Sequence, residues 1–251
     1  MAEVQVTQPE LPNIIAFLAE KFQGTPFGYF LHQWENVIFS LVVAGIISLV
    51  AYLGCRRLKM VPGKLQNALE AVFGGLDEFV CGILGSRGRK YTPFIGTLFI
   101  YVLLINLFGL IPFMKSSTSS LSMTLGLALC VFVYVQYTAF KELGFLGYMD
   151  HLLGQPRGAI AFSVIIPIFM FLLHVMGELI RPISLSLRLR SNIWGDDMLL
   201  AVLAGFGLQG LPLLFFNMLI VLLGAVVQAV VFSLLSTIYF ALVLPHEEEH
   251  A

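Results

Sequence analysis

Apolar residues gather in five long runs along this chain. Val37 to Gly54, Phe94 to Met114 and Leu121 to Phe140 each approach the roughly 20 residues that cross a hydrocarbon layer as a helix. Ala159 to Leu208 is longer and is interrupted by charges, and Leu211 to Leu244 is apolar with Asn217 and Gln228 as its main polar breaks. As a helix, the 34 residues of the last run would measure about 51 Å at 1.5 Å per residue. The hydrocarbon core is only about 30 Å thick, so a steeply inclined helix is expected. The same expectation holds for Ala159–Leu208.

Val61 to Leu84 has a different pattern. Leu65, Leu69, Val72, Phe73, Leu76, Val80 and Ile83 recur at helical spacing, with Lys64, Gln66, Asn67, Glu70, Asp77 and Glu78 among them. This spacing predicts an amphipathic helix that opens near Pro62 and closes near Gly85. Such a helix either lies along the membrane surface or packs on the rest of its own chain.

Basic residues orient the runs. Arg56, Arg57, Lys59 and Lys64 follow the first, and Arg87, Arg89 and Lys90 precede the second, which places both ends of the amphipathic helix on the cytoplasmic side. The loop from Lys115 to Ser120 carries one charge and reads as external, and the loop with Lys141, Glu142, Asp150 and Arg157 reads as internal. The expected fold class is an all-α membrane protein with five transmembrane helices plus one amphipathic surface helix, the last two spans long and strongly tilted. Residues 1–251 read as a single membrane domain. It comprises an external segment 1–36, span 1 at 37–54, the cytoplasmic-surface helix 61–84 and span 2 at 94–114. Span 3 follows at 121–140, span 4 at 159–208, span 5 at 211–244 and a cytoplasmic tail at 245–251.

Composition agrees. Apolar residues make up 58% of the chain and charged residues 12%, and mean hydropathy is +0.90. Soluble domains carry about 25% charged residues, so a water-soluble domain is excluded. A net charge of -1 gives no reason to expect a nucleic-acid partner. Cys55, Cys81 and Cys130 lack paired spacing and read as packing residues. Phosphate-cradle, HExxH and GxSxG motifs are missing, so no cofactor, metal site or self-contained active site is expected. The acidic, polar stretch Met1–Pro12 resembles neither a signal peptide nor a transit peptide, and a bacterial plasma (inner) membrane is the expected location.

The charges within Ala159–Leu208 are the candidate chemistry. Arg188 lies near the middle of this region, and a guanidinium cannot shed its proton to escape lipid. At bilayer depth it costs at least about 2.5–3.5 kcal/mol. In a helix, Glu178, Arg181, Ser184, Arg188 and Asn192 fall on one polar stripe, joined by His174 one turn before Glu178. Arg190 points away from Arg188, with Asp197 on its side, while Asp196 lies nearer Arg188. Arg181 and Arg190 also suit helix-end charges that snorkel to the interface. Gln228 sits at matching depth on the last run, facing a shared polar interface or making an interhelical hydrogen bond. Asn106 reads as a packing hydrogen bond, and His32 and Glu35 as water-facing. Titratable groups on both sides of a permanent charge suggest two proton paths that do not meet.

Several stretches together resemble subunit a of the F-type ATP synthases (the Fo sector, ATPase subunit 6 family). They are Gly96-Thr-Leu-Phe99, Asn106-Leu-Phe-Gly-Leu-Ile-Pro112, and Arg181-Pro-Ile-Ser-Leu-Ser-Leu-Arg-Leu189 with Asn192. Gln228-Ala229, Thr237-Ile-Tyr239 and the acidic tail Glu247-Glu-Glu-His250 complete the match, which runs from about Trp34 to the end. The resemblance implies a stator beside a rotating c-ring of small proteolipids, with peripheral-stalk b subunits and the rest of the synthase as partners. It implies two offset half-channels for H+ or Na+, whose flow drives rotation and ATP synthesis elsewhere in the complex. Arg188 matches the essential arginine, Asp197 an acid of the external half-channel, Gln228 a glutamine opposite the arginine and Asn192 the motif asparagine. Depth alone nominates Glu178 and His174 for the cytoplasmic exit.

The match has departures. The family commonly reads Leu-Arg-Leu-Phe-Gly-Asn, where this chain has Leu187-Arg-Leu-Arg-Ser-Asn192. Arg190 is either balanced by Asp196 or Asp197 or stacked on Trp194. Val221 occupies the place where some members carry a histidine that partners the entry acid, leaving Asp196-Asp197 to act alone. A self-contained secondary transporter or channel is the competing reading, but no internal repeat is found.

Overall fold

The computed structural model describes residues 34–56, 63–111, 120–153 and 162–244. These form helices α1 (Glu35–Cys55), α2 (Lys64–Leu84), α3 (Thr92–Phe108), α4 (Leu121–Leu153), α5 (Phe162–Gly205) and α6 (Leu211–Val243). Short 3-10 turns lie at Gly85–Lys90 and Gly207–Gly210, and no strand occurs among the described residues. The chain is the all-α membrane protein that its hydrophobic pattern predicts. Four helices, α1, α4 through Gly144, α5 and α6, are long and apolar enough to cross a membrane, and α3 is a shorter apolar helix. In lipid a helix satisfies its backbone groups within one segment, which explains this uniformity. The segment before Trp34 with His32, the basic Arg57 and Lys59, the loop at Lys115, Arg157 and the tail from 245 onward lie outside the described residues.

Several helix ends differ from the hydrophobic runs. Helix α3 stops at Phe108, where the Gly109 N–H bonds the Asn106 carbonyl and the Leu110 N–H that of Leu107 in a tightened last turn. Glycine is a poor helix former, and Pro112 disfavours helix in the residue before it. Helix α4 continues past Phe140 to Leu153 with one break at Gly144, whose φ of 69° is easily reached only without a Cβ. Glu35, expected to face water, is buried in the first turn of α1, where the positive end of the helix dipole favours its carboxylate. Cys130, read as a packing residue, is exposed on the outer face of α4. Cys81 is half-buried, with its Sγ 3.8 Å from Asp77 Oδ1.

Helix α2 combines the two readings of its pattern. Leu76 and Val80 are buried, and α2 packs on α3 and α6, while Val72 and Phe73 one turn earlier stand exposed. Elsewhere α4 lies along α5, α3 along α6, and α5 along α6. The α4 face contains Thr124, Ala128, Val131, Val135 and Ala139, all buried at heptad-like spacing. Small residues let membrane helices approach closely where no hydrophobic drive separates protein from lipid. Phe240 of α6 is fully buried among Tyr91, Phe94 and Tyr134, with ring centroids at 5.0, 6.1 and 5.5 Å. Lys90 Nζ meets Glu142 Oε1 at 2.6 Å, near the end of the α4 span, and ties the start of α3 to α4. This hydrogen bond raises the Lys90 pKa. The tether is therefore complete at neutral pH, and is lost as pH rises through the raised Lys90 pKa.

The turn joining α5 to α6 closes tightly at Gly210. A Cβ there would sit 2.6 Å from the Leu203 carbonyl oxygen, whereas at Gly205 it would meet nothing within 4 Å. Gly210→Ala should therefore cost about 1–3 kcal/mol. Thermal aggregation of the detergent-solubilised protein should begin several degrees lower for Gly210→Ala than for Gly205→Ala, and equal onsets would contradict the close contact.

Candidate functional site

Helix α5 meets α6 along one buried face. Leu185, Leu189 and Ile193 point inward at helical spacing, opposite Ala225, Ala229 and Phe232. At the edge of this seam Asn192 Nδ2 donates to Gln228 Oε1 at 2.6 Å, and Gln228 is buried. An amide pair across two membrane helices fixes their relative register.

Beside this bond lies a cavity of about 330 Å³. Helix α5 lines it with Ser191, Asn192, Asp196 and Asp197, α6 with Val221, Gly224 and Gln228, and Asn106 and Gly109 close the α3 side. The space is ample for a group of waters, and the polar side chains supply their partners. Among the described residues the buried Gln228 Nε2 has no hydrogen-bond partner.

Arg188 does not line this cavity. It is exposed on the outer face of α5, a surface that no described helix covers, flanked by exposed Leu187. Among the described residues it makes no ion pair. The polar stripe divides for a geometric reason. At 100° per residue, its members from Glu178 to Asn192 spread over about 120° of the helix. Glu178, at one edge, turns toward α4, while Ser184 and Arg188, at the other, turn outward.

Glu178 and Arg181 pair with each other, and Gln136 Nε2 donates to Glu178 Oε2 at 2.8 Å. The Arg181 guanidinium stands 5.4 Å from the Tyr239 ring centroid, so this arginine does not snorkel free. His174 is half-buried, with Nδ1 3.0 Å from the Met170 carbonyl oxygen. Arg190 is half-buried, and stacking on Trp194 is not among the cation–π contacts of the described residues.

The structure thus brings together Asn192, Asp196, Asp197 and Gln228, and leaves Arg188, Arg190, His174 and the Glu178–Arg181 pair outside their cavity. Sequence reasoning missed Gln136 and Tyr148, noted Ser191 only as a departure from the family's glycine, and read Asn106 as packing alone. Gln136 had a signal: it is the only amide in the run Leu121–Phe140, which holds no charge.

A family model described as ATP synthase A chain matches residues 37–241, most of the chain. The chain belongs to that family. It is 42% identical to an ATP synthase subunit a of Protochlamydia amoebophila over 96% of this chain and 92% of the relative. A subunit a of Aliarcobacter butzleri is 38% identical over 86% of this chain and 93% of its own length. One of Campylobacter hominis is 37% identical over 91% and 97%. The residues matched by the family model include Arg188 and all those that line the cavity.

The cavity predicts a pattern of water access. In a chain whose native cysteines are replaced by serine, Val221→Cys should react with a membrane-impermeant thiol reagent. Leu223→Cys, on the outer face of α6 and 67% exposed there, should react at least about tenfold more slowly when lipid surrounds it. Equal rates would mean that the cavity holds no continuous water.

Proposed function

We propose that this chain is the proton-translocating stator subunit a of an F-type ATP synthase Fo sector. The observation that carries the reading is Arg188, exposed on the uncovered face of α5 one turn from the Asn192–Gln228 bond and its polar cavity. Family membership brings association with the rest of the ATP synthase complex. The finer partners are a c-ring of small proteolipids against α5 and α6, and b subunits of the peripheral stalk. The chain has no catalytic chemistry of its own: it supplies geometry and charge to a reaction carried out elsewhere in the complex.

In this reading a carboxyl group on the ring, moving past α5, meets Arg188 and is held ionised by the opposite charge. The same guanidinium repels a proton that would pass straight across. Asp196 and Asp197, with Asn192, Gln228 and water in the cavity, form the external half-channel that reprotonates the ring carboxylate. Ser191 adds a hydroxyl to this wall where the family commonly has glycine. His174, on the cytoplasmic side of Arg188, is the titratable group of the exit, while Glu178 one turn on is engaged with Gln136 and Arg181. The membrane is a bacterial plasma membrane, with the N-terminus external and the C-terminus cytoplasmic.

Replacing Arg188 by Ala should abolish ATP synthesis driven by an imposed proton gradient in liposomes carrying the whole complex, with assembly intact. Coupling at the wild-type level would sink the reading. Asp196→Asn combined with Asp197→Asn should slow synthesis at least about tenfold, as expected for loss of a general acid–base relay, and unchanged rates would remove these acids from the path.

A further inference from the structure

A chain of polar contacts on the α4 side of α5 stands apart from the cavity. Tyr148, beyond the Gly144 break, donates from its hydroxyl to Gln136 Oε1 at 2.6 Å. Gln136 Nε2 donates to one oxygen of Glu178 at 2.8 Å, and Arg181 donates to the other. Arg181 in turn lies over the ring of Tyr239 on α6. Both carboxylate oxygens of Glu178 are therefore held by protein donors. The side chains are sheltered, at 15% exposure for Glu178 and 24% for Arg181. The adjoining cavity measures about 10 Å³, room for at most about one water. Its wall is largely apolar, with Ala128, Val131 and Leu185 beside the pair.

Two of the roughly four lone-pair sites of the Glu178 carboxylate are occupied by protein donors. The adjoining space has room for at most about one water, a poor setting for an acid that passes protons. Arg181 lies two turns before Arg188, about 10 Å along the helix and about 20° around it. Unpaired, Arg181 would present a second fixed positive charge on nearly the same face.

We propose that Tyr148, Gln136, Glu178 and Arg181 form a charge-compensated clasp that sets the rotation of α5 and silences Arg181, so that Arg188 alone acts on a passing carboxylate. Glu178 is then a positioning residue and not a proton exit. The inference rests on the reading of Arg188 given above. The clasp holds α5 on one side of Arg188, and the Asn192–Gln228 bond holds it four residues beyond.

The test uses the whole synthase in liposomes, with ATP-driven proton pumping as the readout. Glu178→Gln leaves Arg181 unpaired, and Arg181→Gln leaves Glu178 unpaired, so each should cut pumping at least about fivefold. The double variant E178Q/R181Q restores neutrality and keeps amide hydrogen bonding, and should return to within about twofold of wild type, with an unshifted pH profile. A double variant as impaired as E178Q means that the carboxylate itself carries protons, which overturns the clasp. Wild-type pumping by E178Q overturns it as well. Where a single variant fails to assemble, recovery of assembly in the double supports the clasp and continued failure refutes it. Arg188→Ala runs alongside: its pumping at wild-type rate overturns the reading of Arg188, whereas failed rescue with Arg188→Ala inactive overturns the clasp alone.

Discussion

A guanidinium remains charged wherever the chain carries it, and α5 is organised around that constraint. Arg188 cannot neutralise itself in lipid, as a carboxyl or an imidazole can. The helix therefore must present it at one definite place. Leu185 and Leu189 anchor the neighbouring face against the bundle, and the Asn192–Gln228 bond fixes register with α6. Each of these contacts is ordinary on its own. Together they leave the charge exposed on the face of α5 that points away from the other described helices.

The rest of the architecture follows from the same solvent. Without water to drive apolar faces together, the helices are joined by close approach and by polar contacts. Small buried residues such as Ala128, Ala139 and Ala229 supply the first. Gln136, Glu178, Asn192 and Gln228 supply the second, and they occur where α4 and α6 meet α5. The aromatic group around Phe240 closes the other end of the α3–α6 seam, away from the cavity. Structural polarity and functional polarity thus use the same residue types in different surroundings. What separates them is the space beside the group, about 330 Å³ at Gln228 and about 10 Å³ at Glu178.

That distinction explains how much could be read from the chain alone. The helices were legible because hydrophobic length is a one-dimensional property. The grouping of Asn192, Asp196, Asp197 and Gln228 was legible because depth follows chain position in a membrane helix. Azimuth was harder: a stripe drawn through Glu178, Arg181 and Arg188 spans enough of the circumference to cross from a buried edge to an outer surface. Gln136 escaped notice because its importance depends on a partner 42 residues away. Tyr148 reaches it only because Gly144 redirects the chain. Glu35 was misjudged for a related reason, since burial at the membrane edge depends on neighbours that no local pattern names.

The length of α5 has one further geometric consequence. Its apolar portion, Ile168–Leu203, is 36 residues long, or about 54 Å as a helix. Crossing about 30 Å of hydrocarbon, such a helix advances only about 0.8 Å in depth per residue and about 1.2 Å sideways. Groups that follow one another in sequence are then displaced mainly within the plane of the membrane. From Arg188 to Asn192 the lateral step exceeds the step in depth. The inclination thus converts chain order into horizontal separation, and an ion handed along this helix must travel around the membrane plane as well as through it.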